Sequence, residues 1–293
     1  MAGDADGIVI TLMQIDAGVL DMLPNCRVIG RLGVGLDNID LQTASARGVG
    51  VINVPDYCTE EVAVHACSLL LALSRKLLPN DHLVRSGSWR EWPQLKPMYP
   101  PSEQTLGLVG AGRIGFEVVK RMQPFGFRIL VYDPYTNPSV LPEGVRIVGL
   151  DELLAASDLI TIHCPLTPET RYLFNREAFA KMRPGAMLVN VSRGPIVYEP
   201  DLIEALCSRR LAGAALDVLQ EEPPAPDHPI FQAPNVILTS HIAWYSETSM
   251  ARLRETGMRR VIDYLQGRPV PTLVNGEAMD NVRTHSAPKP GIR

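Results

Sequence analysis

Cysteine is scarce in this sequence and shows none of the spacings that a disulfide framework or a zinc site requires. The five cysteines are scattered, with no CxxC pair, at Cys26, Cys58, Cys67, Cys164 and Cys207. Small secreted domains depend on closely spaced cysteines, and structural zinc sites depend on paired ones. We therefore expect no metal site, and we expect reduced thiols in a cytoplasmic protein.

Long apolar runs and an excess of positive charge are also missing. The opening MAGDADGIVI has no basic segment, and the most apolar later run, at 66–73, is too short to cross a bilayer. A formal net charge of −4 over 293 residues offers no basic surface for a polyanion. We expect a soluble protein that binds neither a membrane nor nucleic acid.

Short β-branched runs recur along the chain with helix-like segments between them. Three such runs lie at 7–10, 27–30 and 49–52, and seven lie at 105–109, 128–132, 145–148, 159–163, 186–191, 211–217 and 236–239. The last seven are nearly continuous in apolar residues, which is typical of strands buried on both faces of a parallel sheet. This alternation predicts an α/β fold with a doubly wound parallel sheet.

The longest helices are expected at 59–78 and 246–266. The first follows Thr59 and carries two glutamates in its first turn, a pattern that favours a helix start. A proline-rich segment at 92–101 can neither continue a helix nor sit in a central strand, so it predicts a connector.

A glycine motif, G-A-G-R-I-G, lies between the predicted strand at 105–109 and the next helix. Its glycines are Gly110, Gly112 and Gly115. In a strand–turn–helix setting the first glycine permits a tight turn, the second admits a pyrophosphate, and the third lets helix and strand pack closely. The motif therefore predicts a dinucleotide-binding site.

Asp133 stands eighteen residues past Gly115, at the end of the next predicted strand. A carboxylate at this position can accept both hydroxyls of an adenosine ribose, whereas it would repel a 2′-phosphate. The following Pro134 and Tyr135 offer no arginine to receive that phosphate. The expected cofactor is NAD.

Three charged groups follow predicted strands further along the chain: Arg193, Glu222 and His241. The carboxyl ends of parallel strands meet at one edge of a sheet, so these groups should converge beside the nicotinamide. An arginine can bind a carboxylate with two prongs, a histidine can exchange the hydroxyl proton, and a glutamate can hold that histidine protonated and oriented. The set predicts hydride exchange between a 2-hydroxy acid and its 2-keto acid.

The sequence resembles the D-isomer-specific 2-hydroxyacid dehydrogenases over nearly its whole length. The motifs that carry the resemblance occur in the family's order at 33–40, 53–55, 110–115, 163–167, 189–194, 215–223 and 240–241. Within the family, the segments 132–135 and 241–247 look most like the branch of the C-terminal-binding proteins and related bacterial dehydrogenases of the phosphoglycerate and hydroxypyruvate type.

The resemblance implies roles residue by residue. It implies that Arg193, Glu222 and His241 are catalytic and that the backbone at Val34 and Gly35 grips the substrate carboxylate. For the cofactor it implies contacts from Arg113, Ile114, Cys164, Pro165, Thr167, Val191, Asp217 and His65. Of these, Arg113 and Ile114 would lie at the pyrophosphate, and Asp217 at the nicotinamide carboxamide. Trp244 would form an apolar wall beside the substrate.

The resemblance also implies a division of the chain. We expect the first part of a flavodoxin-like substrate domain at 1–72, a Rossmann NAD domain at 73–243, a helix returning to the substrate domain at 244–275, and a disordered tail at 276–293. Family members usually start some tens of residues earlier, so the substrate domain looks N-terminally truncated. A cleft between the domains should close over substrate, and a homodimer should form through the NAD domains.

Two other functions stay open at this point. One is an NADH-sensing binding protein like the corepressors, and the other is a truncated, inactive homologue that still binds NAD. The acid itself is also open, because glyoxylate, hydroxypyruvate, a phosphorylated three-carbon acid or a bulkier apolar acid would all satisfy Arg193.

Overall fold

The structure is a computed structural model that describes residues 3–279, and the chain divides into two compact units. The larger unit is Thr59–Tyr245, and the smaller one combines Met1–Cys58 with Ser246–Arg293. The first boundary lies at 58/59 instead of the expected 72/73. The reason is that residues 59–74 form a helix whose apolar side chains Ala66, Leu70 and Leu73 are buried and which packs on strands of the larger unit.

Ten strands and nine α-helices lie within residues 7–265, and residues 276–279 are also helical. The strands are β1 (Gly7–Ile10), β2 (Val28–Arg31), β3 (Gly50–Ile52), β4 (Thr105–Val109), β5 (Arg128–Tyr132), β6 (Arg146–Ile147), β7 (Leu159–Ile162), β8 (Ala186–Asn190), β9 (Leu211–Leu216) and β10 (Val236–Leu238). The helices are α1 (Ala17–Asp21), α2 (Leu41–Ala46), α3 (Thr59–Ser74), α4 (Leu77–Arg85), α5 (Arg113–Met122), α6 (Leu150–Ala156), α7 (Arg176–Lys181), α8 (Glu199–Cys207) and α9 (Glu247–Leu265).

The larger unit is a doubly wound sheet of seven parallel strands in the order β10-β9-β8-β7-β4-β5-β6. All seven strands expected from the sequence are present. Strands β4, β7 and β8 are buried along their whole length, which explains their nearly continuous apolar sequence. The strand order reverses between β4 and β7, and ligands of such sheets bind at the carboxyl ends of the strands beside this reversal.

Two groups of helices cover this sheet. Helix α3 packs on β7, β8 and β9 and against α5, while α6, α7 and α8 enclose a second apolar cluster around Phe174, Leu153 and Leu202. This arrangement confirms the predicted doubly wound α/β fold.

The smaller unit contains a three-stranded parallel sheet in the order β1-β2-β3. One apolar cluster, which includes Ile10, Ile29 and Val51, involves α1 and α2, and a second joins Val28 and Ile52 to Val261 of α9. Helix α9 begins at a capping box in which Ser246 and Ser249 bond each other's backbone N–H groups.

The helix predicted at 59–78 is in fact two helices. Helix α3 ends at Ser74, and α4 begins at Leu77 after Lys76, whose φ of 49° lies in the left-handed region. The Lys76 ammonium group donates a hydrogen bond to the carbonyl of Leu95 at 2.7 Å, which ties the break to the proline-rich connector. The periodicity of apolar residues does not reveal a helix break caused by one residue with a left-handed backbone.

The predicted disordered tail differs from the structure in its first four residues. Residues 276–279 are helical, and Met279 is buried. The preceding Asn275 is also buried, and its side chain accepts from the N–H of Val51 and donates to the carbonyl of Val49. The rest of the predicted tail, 280–293, lies outside the described residues.

Over the described range 3–279, no single helix is long and apolar enough to cross a membrane. Helices α3 and α4 meet that test only as a pair, bent by 58°.

Candidate active site

The turn after β4 requires glycine at two of its three motif positions because of the chain's own packing. Gly110 has a φ of 95°, and a Cβ there would lie 2.6 Å from the backbone nitrogen of Cys164. A Cβ at Gly115 would lie 2.2 Å from the carbonyl oxygen of Gly110. These two glycines allow the turn to form and α5 to pack against it.

Gly112 is different, because nothing in the chain lies within 4 Å of where its Cβ would be. It is exposed and forms the N-cap of α5, a ten-residue helix whose first N–H groups receive no side-chain cap. Unfilled space in front of a helix N-terminus suits an anionic group, which the N–H groups and the helix dipole both attract. The glycine turn therefore fits a dinucleotide pyrophosphate, with Arg113 and Ile114 in the first turn beside it.

Asp133 follows β5 and connects two turns through its carboxylate. Oδ2 accepts the N–H of Ala111 at 2.8 Å, and Oδ1 accepts the N–H groups of Tyr135 at 2.8 Å and Thr136 at 3.2 Å. Burial alone would raise the pKa of Asp133, but these hydrogen bonds outweigh it and hold the pKa below its ordinary value. The carboxylate is therefore ionised at the edge of the glycine turn, as recognition of ribose hydroxyls requires.

The segment after β7 lies against the same turn and is neutral. Burial lowers the pKa of His163 to about 3 and raises the pKa of the Cys164 thiol to about 11. Cys164 is thus a packed thiol rather than a thiolate nucleophile. The segment is stiffened by Thr170, whose hydroxyl donates to the carbonyl of Pro165 and accepts from the N–H of Thr167.

Arg193 is placed by the residue that ends β8. Asn190 is 1% exposed, and its side chain donates to the carbonyl of Arg193 at 2.8 Å and accepts from the N–H of Ser192 at 3.0 Å. Gly194 comes next, where a Cβ would lie 1.9 Å from the carbonyl oxygen of Leu219. The loop of Arg193 is therefore in contact with the turn that carries Glu222.

Glu222 and His241 form a direct pair. Glu222 Oε2 lies 2.6 Å from His241 Nδ1, and its Oε1 accepts the N–H of Leu219 at 2.9 Å. The side chains are 30% and 32% exposed, so solvent and substrate can reach them. Because Nδ1 is bound to the carboxylate, Nε2 is the ring nitrogen that can exchange a proton with a ligand.

Glu222 is held as a carboxylate by this arrangement. Burial acts to raise the pKa of Glu222. Four interactions act to lower it and together outweigh burial: the hydrogen bond from His241, the charge of that ring, the N–H of Leu219 and the charge of Arg193. The pKa of Glu222 therefore lies below its ordinary value. The residue after Arg193, Gly194, contacts the turn of Glu222 at Leu219, so the three predicted catalytic groups belong to neighbouring loops.

The loop that carries His241 is strained and is held by Asp217. His241 has a φ of 53°, which is uncommon for a residue other than glycine. Asp217, 2% exposed, accepts the N–H of His241 through its carbonyl at 2.7 Å. Its Oδ1 and Oδ2 accept the N–H groups of Ile242 and Ala243, each at 2.9 Å. Strained residues persist where the surroundings determine them this strongly, and they cluster at functional sites.

His65, on α3, joins the same network. Its Nε2 lies 3.1 Å from the hydroxyl of Thr239, which in turn lies 2.5 Å from Asp217 Oδ1. Thr239 and Asn190 are not among the site residues predicted from the sequence. Thr239 ends a predicted strand, and Asn190 lies near the end of another, within the motif at 189–194.

The remaining predicted ligand residues are spread over both units. Val191 is buried directly after β8, and Trp244 packs edge-to-face on Tyr245 with ring centroids 5.6 Å apart. Val34 and Gly35 belong to the smaller unit, in the loop after β2, where the carbonyl of Val34 accepts the side-chain N–H of Asn53. Within residues 3–279, no group of three or more histidine, cysteine or acidic side chains is arranged to hold a metal ion.

Comparison with known proteins gives one consistent result. The model of the D-isomer specific 2-hydroxyacid dehydrogenase NAD-binding domain matches residues 67–243. The chain is 38% identical to a hydroxypyruvate reductase of Blautia hydrogenotrophica over 272 residues, which are 92% of this chain and 84% of that protein. It is 39% identical to a glyoxylate reductase of Thermofilum pendens over 288 residues, covering 94% of this chain and 83% of that protein.

A solved structure agrees in fold. The D-lactate dehydrogenase of Aquifex aeolicus, complexed with NAD and lactic acid, superimposes with a TM-score of 0.86 at 30% identity, covering 91% of this chain and 84% of that one. Together with the glycine turn, the ionised Asp133 and the Glu222–His241 pair, these matches identify the chain as a member of the D-isomer specific 2-hydroxyacid dehydrogenase family, an NAD-dependent oxidoreductase that acts on the CH–OH group of 2-hydroxy acids.

Proposed function

We propose that this chain interconverts a small 2-keto acid and its D-2-hydroxy acid through Arg193, Glu222 and His241. The observation that carries the proposal is the 2.6 Å contact between Glu222 Oε2 and His241 Nδ1, made in a turn that the loop of Arg193 contacts at Gly194. NAD, when bound, supplies or accepts the hydride. The chain's own residues then have to bind the acid, orient its carbonyl and move one proton.

Each of the three side chains has a distinct task. The Arg193 guanidinium binds the substrate carboxylate and polarises the adjacent carbonyl oxygen. His241 Nε2 donates a proton to that oxygen during reduction and accepts it back during oxidation. Glu222 fixes the ring through Nδ1 and stabilises its protonated form, so the proton is aimed at the substrate rather than at solvent.

The other predicted ligand residues complete this proposal. Gly110, Gly112, Gly115, Arg113 and Ile114 would hold the pyrophosphate, and Asp133 the ribose. Along the rest of the cofactor we propose Cys164, Pro165, Thr167, Val191, Asp217 and His65. Val34, Gly35 and Trp244 would contact the substrate.

The substrate class we propose is a small 2-keto acid of the glyoxylate or hydroxypyruvate type. Relatives that match more than nine-tenths of the chain carry the names hydroxypyruvate reductase and glyoxylate reductase. The test is NADH consumption by the purified chain over a panel of 2-keto acids. Turnover on a small acid supports the proposal, whereas tight NADH binding without turnover on any acid would contradict it.

We also propose a cytoplasmic homodimer that forms through the cofactor-binding unit. The segment from α4 to the proline-rich connector exposes several large apolar side chains, among them Trp89 at 76% and Trp92 at 61%. Soluble monomers rarely expose apolar groups of this size together, and such groups commonly mark an interface.

Replacing His241 should remove the proton donor while leaving cofactor binding intact. For His241→Gln we expect kcat for keto-acid reduction to fall by about 100-fold or more, since acid–base catalysis contributes on that scale. The Kd for NADH should change little. His82→Gln, at an exposed histidine on α4, is the matched control and should keep the parental kcat. A His241 variant with near-parental kcat would rule out the proposed role.

Replacing Glu222 should change the pH profile in a defined direction. Because the pKa of Glu222 is lowered, its charge persists below the usual value of about 4.3, so the pair is lost only as the pH falls through that lower pKa. In Glu222→Gln the charge is absent at every pH, so the ring of His241 has no charged partner. The parent should therefore keep its advantage in rate of reduction over the variant down to a pH of about 4.3 and lose it only at lower pH, as Glu222 is protonated. Equal rates in the two proteins at every pH would count against the pair.

Asp133 should set the preference for NADH over NADPH. Like charges about 4 Å apart near a protein surface repel by about 4 kcal/mol, and about 1.4 kcal/mol is tenfold. In Asp133→Ala we expect the ratio of kcat/KM for NADH to that for NADPH to fall at least about tenfold. Loosening of the glycine turn affects both cofactors and cancels in the ratio. Asp227→Ala, at an exposed position, is the control, and equal ratios in all three proteins would exclude this role.

A further inference from the structure

A buried carboxylate lies behind the turn that carries Glu222. Glu199, the first residue of α8, is 5% exposed. Its Oε1 accepts the N–H of Gln220 at 2.5 Å, and its own N–H donates to Gln220 Oε1 at 2.8 Å. Each residue thus binds the backbone of the other, and Gln220 is two residues from Glu222.

The second oxygen of Glu199 is also occupied. Oε2 lies 3.2 Å from His228 Nε2, and His228 Nδ1 accepts the N–H of Ile230 at 3.3 Å. A neutral ring with its proton on Nε2 satisfies both contacts at once. The side-chain amide of Gln220 donates to the hydroxyl of Tyr172 at 3.1 Å. The turn is therefore attached on its inner side to α8, to His228 and to Tyr172.

The same turn is held on its outer side by Glu222. Glu222 Oε1 accepts the N–H of Leu219, and Oε2 contacts His241. The N–H groups of two consecutive residues, Leu219 and Gln220, thus bind two different glutamates. Displacing the peptide at Gln220 would move Leu219 and with it the hydrogen bond that sets the direction of the Glu222 side chain.

Packing alone does not account for a glutamate at position 199. Burying a carboxylate is costly unless its partners compensate, and here the N–H of Gln220 and the ring of His228 are those partners. Burial raises the pKa of Glu199, and the negative charge of Glu222 raises it further. The carboxyl group of Glu199 is therefore present despite burial and despite the nearby charge of Glu222. This indicates that the hydrogen bond it accepts from Gln220 has a function.

We propose that Glu199 is a positioning residue for the proton transfer. Its carboxylate binds the N–H of Gln220 and contacts His228, and so holds the turn from which Glu222 reaches His241. The inference rests on the proposed function, in which Glu222 and His241 move the proton. Glu199 acts through Glu222 and has no contact with substrate in this account.

A double-mutant cycle tests this dependence on Glu222. In the parent, Glu199→Ala should lower kcat by about tenfold to 100-fold, the scale on which misplacement of a catalytic group acts. In a Glu222→Gln background the same change should lower kcat by less than about twofold, because a positioning residue has nothing left to position. Glu204→Gln, at an exposed ion pair with Arg176 on the same helix, is the control and should leave kcat unchanged.

Glu199→Gln serves as the conservative variant and covers the case in which Glu199→Ala fails to fold. Its amide oxygen can still accept from Gln220, but its NH2 group faces the proton on His228 Nε2. We expect a kcat between those of the parent and Glu199→Ala, with the Kd for NADH unchanged. Equal losses of kcat from Glu199→Gln in both backgrounds would overturn the proposal.

A second readout does not require turnover and separates this inference from the proposed function. The ¹⁵N chemical shifts of the His241 ring report whether Nδ1 is hydrogen-bonded and can be assigned by their loss in His241→Gln. In Glu199→Gln the Nδ1 signal should move toward the position of a ring without a carboxylate partner. If the parent turns over no 2-keto acid, the proposed function fails while this measurement still decides the role of Glu199. Unchanged ring shifts would reject that role.

Discussion

The site depends above all on one buried carboxylate, that of Asp217. It lies at the carboxyl end of β9, and its oxygens accept the N–H groups of Ile242 and Ala243 and the hydroxyl of Thr239. These bonds hold the following loop in a path that gives His241 a left-handed backbone. Such a conformation costs about 1–3 kcal/mol, and hydrogen bonds to a charged acceptor contribute about 1.5–3 kcal/mol each. The hydrogen bonds to Asp217 therefore outweigh the strain at His241.

Two other parts of the site are held in a similar way, by a polar side chain at the end of a strand that binds the backbone of a neighbouring loop. The buried Asn190 does this for Arg193 after β8, and the half-buried Asp133, at the end of β5, does it for the glycine turn after β4. Parallel strands bring these ends to one edge of the sheet. The groups that we propose to exchange a proton and bind a carboxylate are therefore held in place by folding, which lowers the cost of arranging them during the reaction.

Much of this arrangement could be predicted from the sequence. The seven apolar runs predicted the doubly wound sheet, and the glycine motif and Asp133 predicted NAD. The charged residues after three strands predicted that Arg193, Glu222 and His241 converge, and two of them, Glu222 and His241, are in direct contact. Local patterns do not record long-range hydrogen bonds. The break at Lys76 is tied to Leu95, and the order of the chain around Asn275 is tied to Val51, so neither could be foreseen from local patterns. Asn190 bonds Arg193, only three residues away, but no local pattern shows which side chain at a strand end folds back onto its own loop.

Asp217 holds the loop of His241 through the backbone N–H groups of Ile242 and Ala243, and amide hydrogen exchange measures this directly. In Asp217→Asn the side chain keeps one acceptor oxygen, and its NH2 group would face the backbone N–H of either Ile242 or Ala243. Exchange at Ile242 and Ala243 should then become faster by about tenfold or more. Exchange at Ala111, whose N–H is bound by Asp133, should stay the same. Unchanged exchange at Ile242 and Ala243 would contradict the account.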